Sequence, residues 1–485
     1  MAFSSVQFLF IFLPLSLAVY WLLPKALRNG ALGAFSLLFF AWAGLKGAAI
    51  LLALAAITWL GGLLLEKLPR KKPLLILLIA AHLAVLAVFK YAGFAARSIN
   101  ALVPDLLPVF APALPLGVSF YVFTAIGYLA DVSCGKVAAA RSPFRFFVFL
   151  AFFGHGPSGP IVRYDQQLPC LDAKAAERQV SLDRFCYGIK RFVLGLAKKA
   201  IIADQLALIY SRVTSVPAAT VPAPALVLGY LAYMMQLYFD FSGYSDMAIG
   251  IGSFFGLELP ENFNYPYLSC SVGEYWRRWH MSLSGWFRDY VYIPLGGSRC
   301  SLAKNCRNLL IVFLLTGLWH GADWRYLAWG LFTGLLAAFG VMTARARQRI
   351  NRYNPLYRMG WFKVFWQCLF TNALFCLTLV FFASAIYNTD PFAVYGSLLQ
   401  GWDGLTGSWA QVSNLIYSSG IDGRLPVVLL FGCFVVFAAE HKGRSVARWI
   451  RQQVWPLRWT LYYGMAAAIL CFAAFGQSAI IYQQY

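Results

Sequence analysis

The chain has 485 residues, 60% hydrophobic and 12% charged. Soluble domains carry about 25% charge, so the composition excludes a soluble enzyme and points to a polytopic membrane protein. The 40 Lys and Arg against 19 Asp and Glu give a net charge of +21. The basic residues fall in short blocks between apolar runs, so the excess reads as inside-facing membrane charge and not as a nucleic-acid surface.

Residues 1–23 are apolar and aromatic, with no basic leader and no small-residue cleavage site. They read as a retained first helix. Residues 30–43 and 47–65 are predicted as the second and third spans, and Lys67, Arg70, Lys71 and Lys72 form the first basic block. A fourth span over 74–95 carries His82 and Lys90. Residues 96–114 are Pro-rich, nearly uncharged and placed outside; 116–132 is the fifth span, before Lys136, Arg141 and Arg145.

Residues 146–153 are apolar but too short to cross a bilayer, which takes about 20 residues. They break at Gly154-His155-Gly156-Pro157-Ser158-Gly159-Pro160 and return through Ile161-Val162-Arg163-Tyr164, a re-entrant pattern. Irregular backbone at membrane depth needs protein or water to satisfy it. Residues 165–200 are amphipathic and basic and are placed on the cytoplasmic surface. Residues 201–210 read as a short insertion. Residues 223–241 form a span ending near Asp240 and Asp246, acids expected to pair with basic residues.

Spans at 326–342, 364–386, 425–439 and 459–482 complete the chain. Basic blocks at Arg345–Lys363 and Lys442–Arg458 separate them, and a polar loop over 387–424 is placed outside. All basic blocks fall inside if both termini are extracytoplasmic. The expected architecture is all-α and polytopic, one domain over 1–485 with about 11 transmembrane helices plus re-entrant and interfacial helices. The ten cysteines form no CxxC pair, and the five histidines show no close ligand spacing. Free thiols and no metal site are expected.

Two histidines are the candidates for chemistry. His320 closes the apolar run that ends Trp319-His320-Gly321, 13 residues after Arg307. At 1.5 Å per residue it lies ~20 Å along a helix, within a hydrocarbon core about 30 Å thick. The polar turn at 321–323 needs water or protein cover at that depth, which predicts a funnel with His320 near its floor. A neutral imidazole there can take a proton from a hydroxyl or carry an acyl group; the alternative is a buried histidine that only bridges helices. His280, in Tyr275-Trp276-Arg277-Arg278-Trp279-His280, reads by itself as interfacial, with the tryptophans at the headgroups and the arginines on lipid phosphate. Arg288 and Asp289 read as an internal ion pair. His82 and His441 read as structural or interfacial, and the role of His155 stays open. Pro294-Leu295-Gly296-Gly297-Ser298-Arg299 resembles an anion-holding loop, with glycine N–H groups and Arg299 facing a phosphate.

ENFNYPY from Glu261, YWRRWHMSLSGWFRDYVYIPLGGSR over 275–299 and LLTGLWHG over 314–321 resemble the membrane-bound O-acyltransferase family, in its bacterial alginate O-acetyltransferase branch. FSSVQFLFIFLPL, LPLGVSFYVF (114–123), GPIVRY (159–164), AKKAIIADQLA (197–207) and YFDFSGYSDMAIGIG (238–252) extend the likeness along the chain. The resemblance implies a many-helix fold around a central funnel, with its catalytic core over about 115–345. It implies a catalytic His320, with His280 as the second polar residue of the site, and donor contacts at Arg163, Arg288, Arg299 and Trp319. It implies acetyl-CoA as a cytoplasmic donor substrate, no tightly bound cofactor, and an acetyl group relayed across the inner membrane. The outward partner is a periplasmic or surface acetyltransferase, and the final acceptor a polysaccharide such as alginate or peptidoglycan. D-alanyl transfer from a carrier protein and non-enzymatic transport are the alternatives. The His155-Gly156-Pro157-Ser158 segment departs from the apolar residues this branch has before GPIVRY.

Overall fold

The computed structural model describes residues 1–172, 181–353, 357, 359–402 and 446–472, which contain helices and no strands. The expected span at 425–439, residues 403–424 of the outer loop, His441, Lys442 and Arg444 lie outside the described residues.

The described chain forms two units, Met1–Gly195 with Tyr244–Glu261, and Leu196–Gly243 with the residues from Asn262 onward. The first holds α1 (Leu13–Leu22), α2 (Arg28–Ala43), α3 (Leu45–Lys67), α4 (Lys72–Leu86), α5 (Ala92–Asn100), α6 (Val118–Ser133), α7 (Pro143–Ala151), α8 (Tyr164–Asp172) and α9 (Leu182–Ala197). The second holds α10 (Asp204–Val213), most of α11 (Ala223–Phe254), α12 (Val272–Arg278), α13 (Met281–Phe287), α14 (Leu302–His320), α15 (Trp324–Met342), α16 (Ala344–Tyr353), α17 (Gly360–Tyr387), α18 (Pro391–Gln400), α19 (Val446–Arg451) and α20 (Trp455–Phe472).

Among the described residues, five helices are long and apolar enough to cross a bilayer: Lys25–Ala43, Leu45–Lys67, Lys72–Asn100, Trp324–Met342 and Gly360–Tyr387. Helix α3 shows why. Ala48, Leu51, Leu54, Thr58, Gly61 and Leu65 recur every three or four residues and are buried, while Leu52, Ile57, Leu60 and Leu64 on the other face are exposed. A helix apolar all round, with only one face packed, belongs in lipid. The span expected over 74–95 continues to Asn100, so the outer loop is shorter than the composition suggested.

In the first unit, His82 ties two spans together. Its Nε2 lies 2.8 Å from Thr58 Oγ1 and its Nδ1 2.7 Å from the Leu78 carbonyl. The 146–164 segment is a short helix followed by irregular, buried backbone through Val162, as a re-entrant piece requires. His155 lies in that turn, with the Gly159 N–H donating to its carbonyl at 2.8 Å.

Three expectations are corrected. The basic stretch 165–200 does not lie wholly on a surface: Arg191, Lys198 and Lys199 are buried. Arg191 pairs with Asp246 at 2.5 Å and Glu261 at 2.6 Å in the first unit, and Lys199 with Asp204 at 2.6 Å and Asp240 at 2.9 Å in the second. The span at 223–241 does not end at its aspartates, because α11 runs on through them to Phe254. Ion pairing removes the reason for a break, since a compensated buried carboxylate is tolerated where a lone one is not. Residues 391–400 of the outer loop are helical, with the Asp390 side chain accepting from the Phe392 N–H.

Candidate active site

The site lies in the second unit, where α12, α13, α14 and α15 meet. Helix α12 begins at Ser271, whose side chain accepts from the Glu274 N–H, and Glu274 pairs with Arg278 one turn on at 2.7 Å. The chain then turns sharply. His280 adopts a left-handed backbone, φ 43° and ψ 55°, between α12 and α13. That conformation is costly for a residue with a side chain and persists where surroundings over-determine it. Here the Met281 N–H donates to the Asn262 carbonyl at 2.8 Å, and the Asn264 N–H to the Arg278 carbonyl at 2.9 Å.

Helix α14 delivers His320 as its last residue. It packs backbone to backbone on α15: a Cβ on Gly317 would stand 2.4 Å from the Tyr326 carbonyl oxygen, and one on Gly330 2.4 Å from the Phe313 carbonyl oxygen. Small residues permit this approach in membrane helices. Gly321 is required for the same reason, since a Cβ there would stand 2.1 Å from the Tyr326 ring. Asp323 caps α15 by accepting from the Arg325 N–H at 2.8 Å, and the Arg325 guanidinium reaches the Ser384 carbonyl on α17, also at 2.8 Å.

His280 and His320 line one cavity of about 610 Å³. Both side chains are buried, His280 at 1% and His320 at 3% exposure. The His320 ring is surrounded by Trp319, Trp329 and Phe382, with ring centroids 4.9, 5.1 and 5.1 Å away. His280 lies 4.7 Å from Phe241 and 5.9 Å from Trp319. His280 Nδ1 is 3.0 Å from Asn262 Oδ1. Arg277, Arg288, Tyr292, Ser298 and Asn305 line the same cavity, so cationic, hydroxyl and amide groups share it with the imidazoles.

Of the residues singled out in the sequence, His280, His320 and Arg288 share this cavity. Arg288 Nε also donates to Asp289 at 2.7 Å, which holds the guanidinium above its ordinary value. Trp319 packs against both histidines. His280 is buried, so the interfacial reading of the YWRRWH segment does not hold for it. Arg299 is exposed and is not among the lining residues. The loop before it is a turn: the Gly296 N–H donates to Ile293 and the Gly297 N–H to the Tyr292 carbonyl, so neither glycine is aimed at an anion. Arg163 is half-buried beside the start of α8 in the first unit. Arg277, read from the sequence as facing lipid phosphate, lines the cavity, and Asn262, Asn305 and Thr316 were not singled out. Asn305, Leu309, Val312, Thr316 and His320 recur at helical spacing on α14 and all line the cavity. That periodicity was available as a signal.

Comparison with known proteins identifies the family. The pattern of MBOAT, the membrane-bound O-acyltransferase family, matches residues 138–381. The probable alginate O-acetylase AlgI of Azotobacter vinelandii is 42% identical over 342 residues, 69% of this chain and 67% of that protein. The peptidoglycan O-acetyltransferase of Helicobacter pylori is 33% identical over 365 residues, 69% of each chain. The teichoic acid D-alanyltransferase of Bacillus subtilis is 32% identical over 232 residues, 46% of this chain and 57% of that protein.

Proposed function

Since the chain belongs to the membrane-bound O-acyltransferase family and is a multi-pass O-acyltransferase, we propose that it transfers acetyl groups from cytoplasmic acetyl-CoA toward an envelope polysaccharide on the far side of the inner membrane. The observation that carries the reading is the pair His280 and His320 on one cavity that also holds Arg277 and Arg288. The identity to alginate O-acetylases, higher and over more of the chain than to the D-alanyltransferase, favours acetyl over D-alanyl.

In this reading the arginines hold the anionic donor by charge-assisted hydrogen bonds. His320 takes the proton of an acceptor hydroxyl as its oxygen attacks the thioester carbonyl carbon. The new C–O bond forms, the C–S bond breaks, and the departing thiolate recovers the proton from the imidazolium. The acceptor hydroxyl belongs to a periplasmic or surface acetyltransferase, which passes the acetyl group to the polymer.

Protein reconstituted in vesicles with acetyl-CoA inside and the partner acetyltransferase outside is the test. Release of free CoA thiol with acetylation outside is expected, and His320→Ala should abolish both. Normal acetylation by that variant overturns the assignment. Turnover only with a carrier-protein thioester would replace acetyl by D-alanyl, and uptake without thioester cleavage would replace catalysis by transport.

A further inference from the structure

The hydrogen-bond geometry around Asn262 fixes which nitrogen of His280 carries the proton. Asn262 is fully buried, in the ENFN segment ahead of α12. Its Oδ1 accepts from the Ser282 backbone N–H at 3.3 Å and from Ser282 Oγ at 2.9 Å, and lies 3.0 Å from His280 Nδ1. A backbone N–H can only donate, so the atom it meets is the amide oxygen and not the amide nitrogen. An amide oxygen can only accept. His280 Nδ1 must therefore carry a proton, and in the neutral ring Nε2 holds the lone pair. The same residue also fixes the turn, because its main-chain carbonyl accepts the Met281 N–H beside the left-handed His280. One buried asparagine thus sets both the backbone and the tautomer of a histidine that lines the cavity.

We infer that Asn262 is a positioning residue that locks His280 as the Nδ1–H tautomer, so that His280 offers the cavity a hydrogen-bond acceptor and not a donor. The tautomer stands on the hydrogen bonds alone; its catalytic meaning rests on the acyl-transfer reading above. A nitrogen lone pair cannot stabilise the oxyanion that develops on a thioester carbonyl, which needs N–H or O–H donors. It can only accept a hydrogen bond from a group in the cavity, while His320 takes the proton of the acceptor hydroxyl. His280 is thereby excluded from the oxyanion side of the reaction. The second-neighbour control of a histidine tautomer is the logic of catalytic dyads generally, where the partner of one ring nitrogen decides the duty of the other.

The decisive measurement is solid-state nitrogen NMR of ¹⁵N-histidine-labelled protein in bilayers. The chain has five histidines, and the His280 signals are identified by their loss in His280→Gln. A protonated Nδ1 and an unprotonated Nε2 are expected, and a protonated Nε2 overturns the inference. In Asn262→Leu the lock is removed: Nε2–H should appear, and kcat should fall at least tenfold with donor KM unchanged. Asn262→Asp keeps an acceptor oxygen, so it should keep the wild-type tautomer, restore most of the lost kcat and move the acidic limb of the rate profile to higher pH. An Asn262→Leu variant with wild-type spectrum and kcat also overturns the inference. The wild-type spectrum decides the tautomer even if no acyl transfer is found, so failure of the two readings is distinguishable.

Discussion

His280 and His320, 40 residues apart in the sequence, both pack a ring against the indole of Trp319, with centroids 5.9 and 4.9 Å from it. Trp319 is therefore the spacer of the site. Trp319→Phe preserves an aromatic face and should retain activity within about threefold. Trp319→Ala frees both imidazoles to shift, and a displacement of about 1 Å typically costs about 10²-fold in rate. Single-turnover assays with each variant check this; an unimpaired Trp319→Ala would show that the spacing is irrelevant.

The shared cavity makes the two histidines a unit. Removing a positioned acid–base group costs typically 10²–10⁴-fold, and residues that act together give strongly non-additive losses. His280→Ala and His320→Ala should each lower kcat by about that range, and the double variant should be little worse than the weaker single. Multiplying losses would mean that the residues serve separate steps.

Lys199 is held between Asp204 and Asp240, its side chain 3% exposed and that of Asp240 1% exposed. Removing the cation from such a cluster leaves buried charge uncompensated, at a cost of about 3–5 kcal/mol. Lys199→Met should lower the unfolding temperature in detergent sharply, and adding Asp240→Leu should restore part of the loss. If the single variant melts like wild type, the cluster is not sustaining the fold.

The Gly317–Gly330 contact predicts a steric limit on α14. Overpacking of a close-packed interface costs about 1–3 kcal/mol or more, and here the obstacle is backbone, with the Tyr326 carbonyl 2.4 Å from a Cβ at Gly317. Gly317→Leu should reduce folded yield and inactivate the protein by displacing His320, whereas Leu315→Ala, on an exposed side of the same helix, should do neither. Equal yields for the two variants would contradict the packing.

Much of the chain was legible in advance because its signals are local. Apolar runs and basic blocks announce membrane helices through hydropathy alone, but which face of α3 is buried does not show in a helix that is apolar all round. His320 stood out because an ionisable group closing an apolar run is costly without a purpose. Other features misled for an equally physical reason. Arg191 and Lys199 looked like surface charge because their partners, Asp246 and Asp240, are more than 40 residues away. The Gly296–Gly297 pair looked like an anion nest because composition does not say which carbonyl a glycine N–H will meet.

The sequence by itself determined that this is a helical membrane protein of the O-acyltransferase family with two candidate histidines, since length, hydropathy and motif are properties of contiguous residues. Only the tertiary structure decided that the histidines share a cavity, that Trp319 spaces them and that Asn262 dictates the tautomer of one. Those relationships are distances between residues far apart along the chain, and they exist only once the packing of helices has fixed which side chains meet.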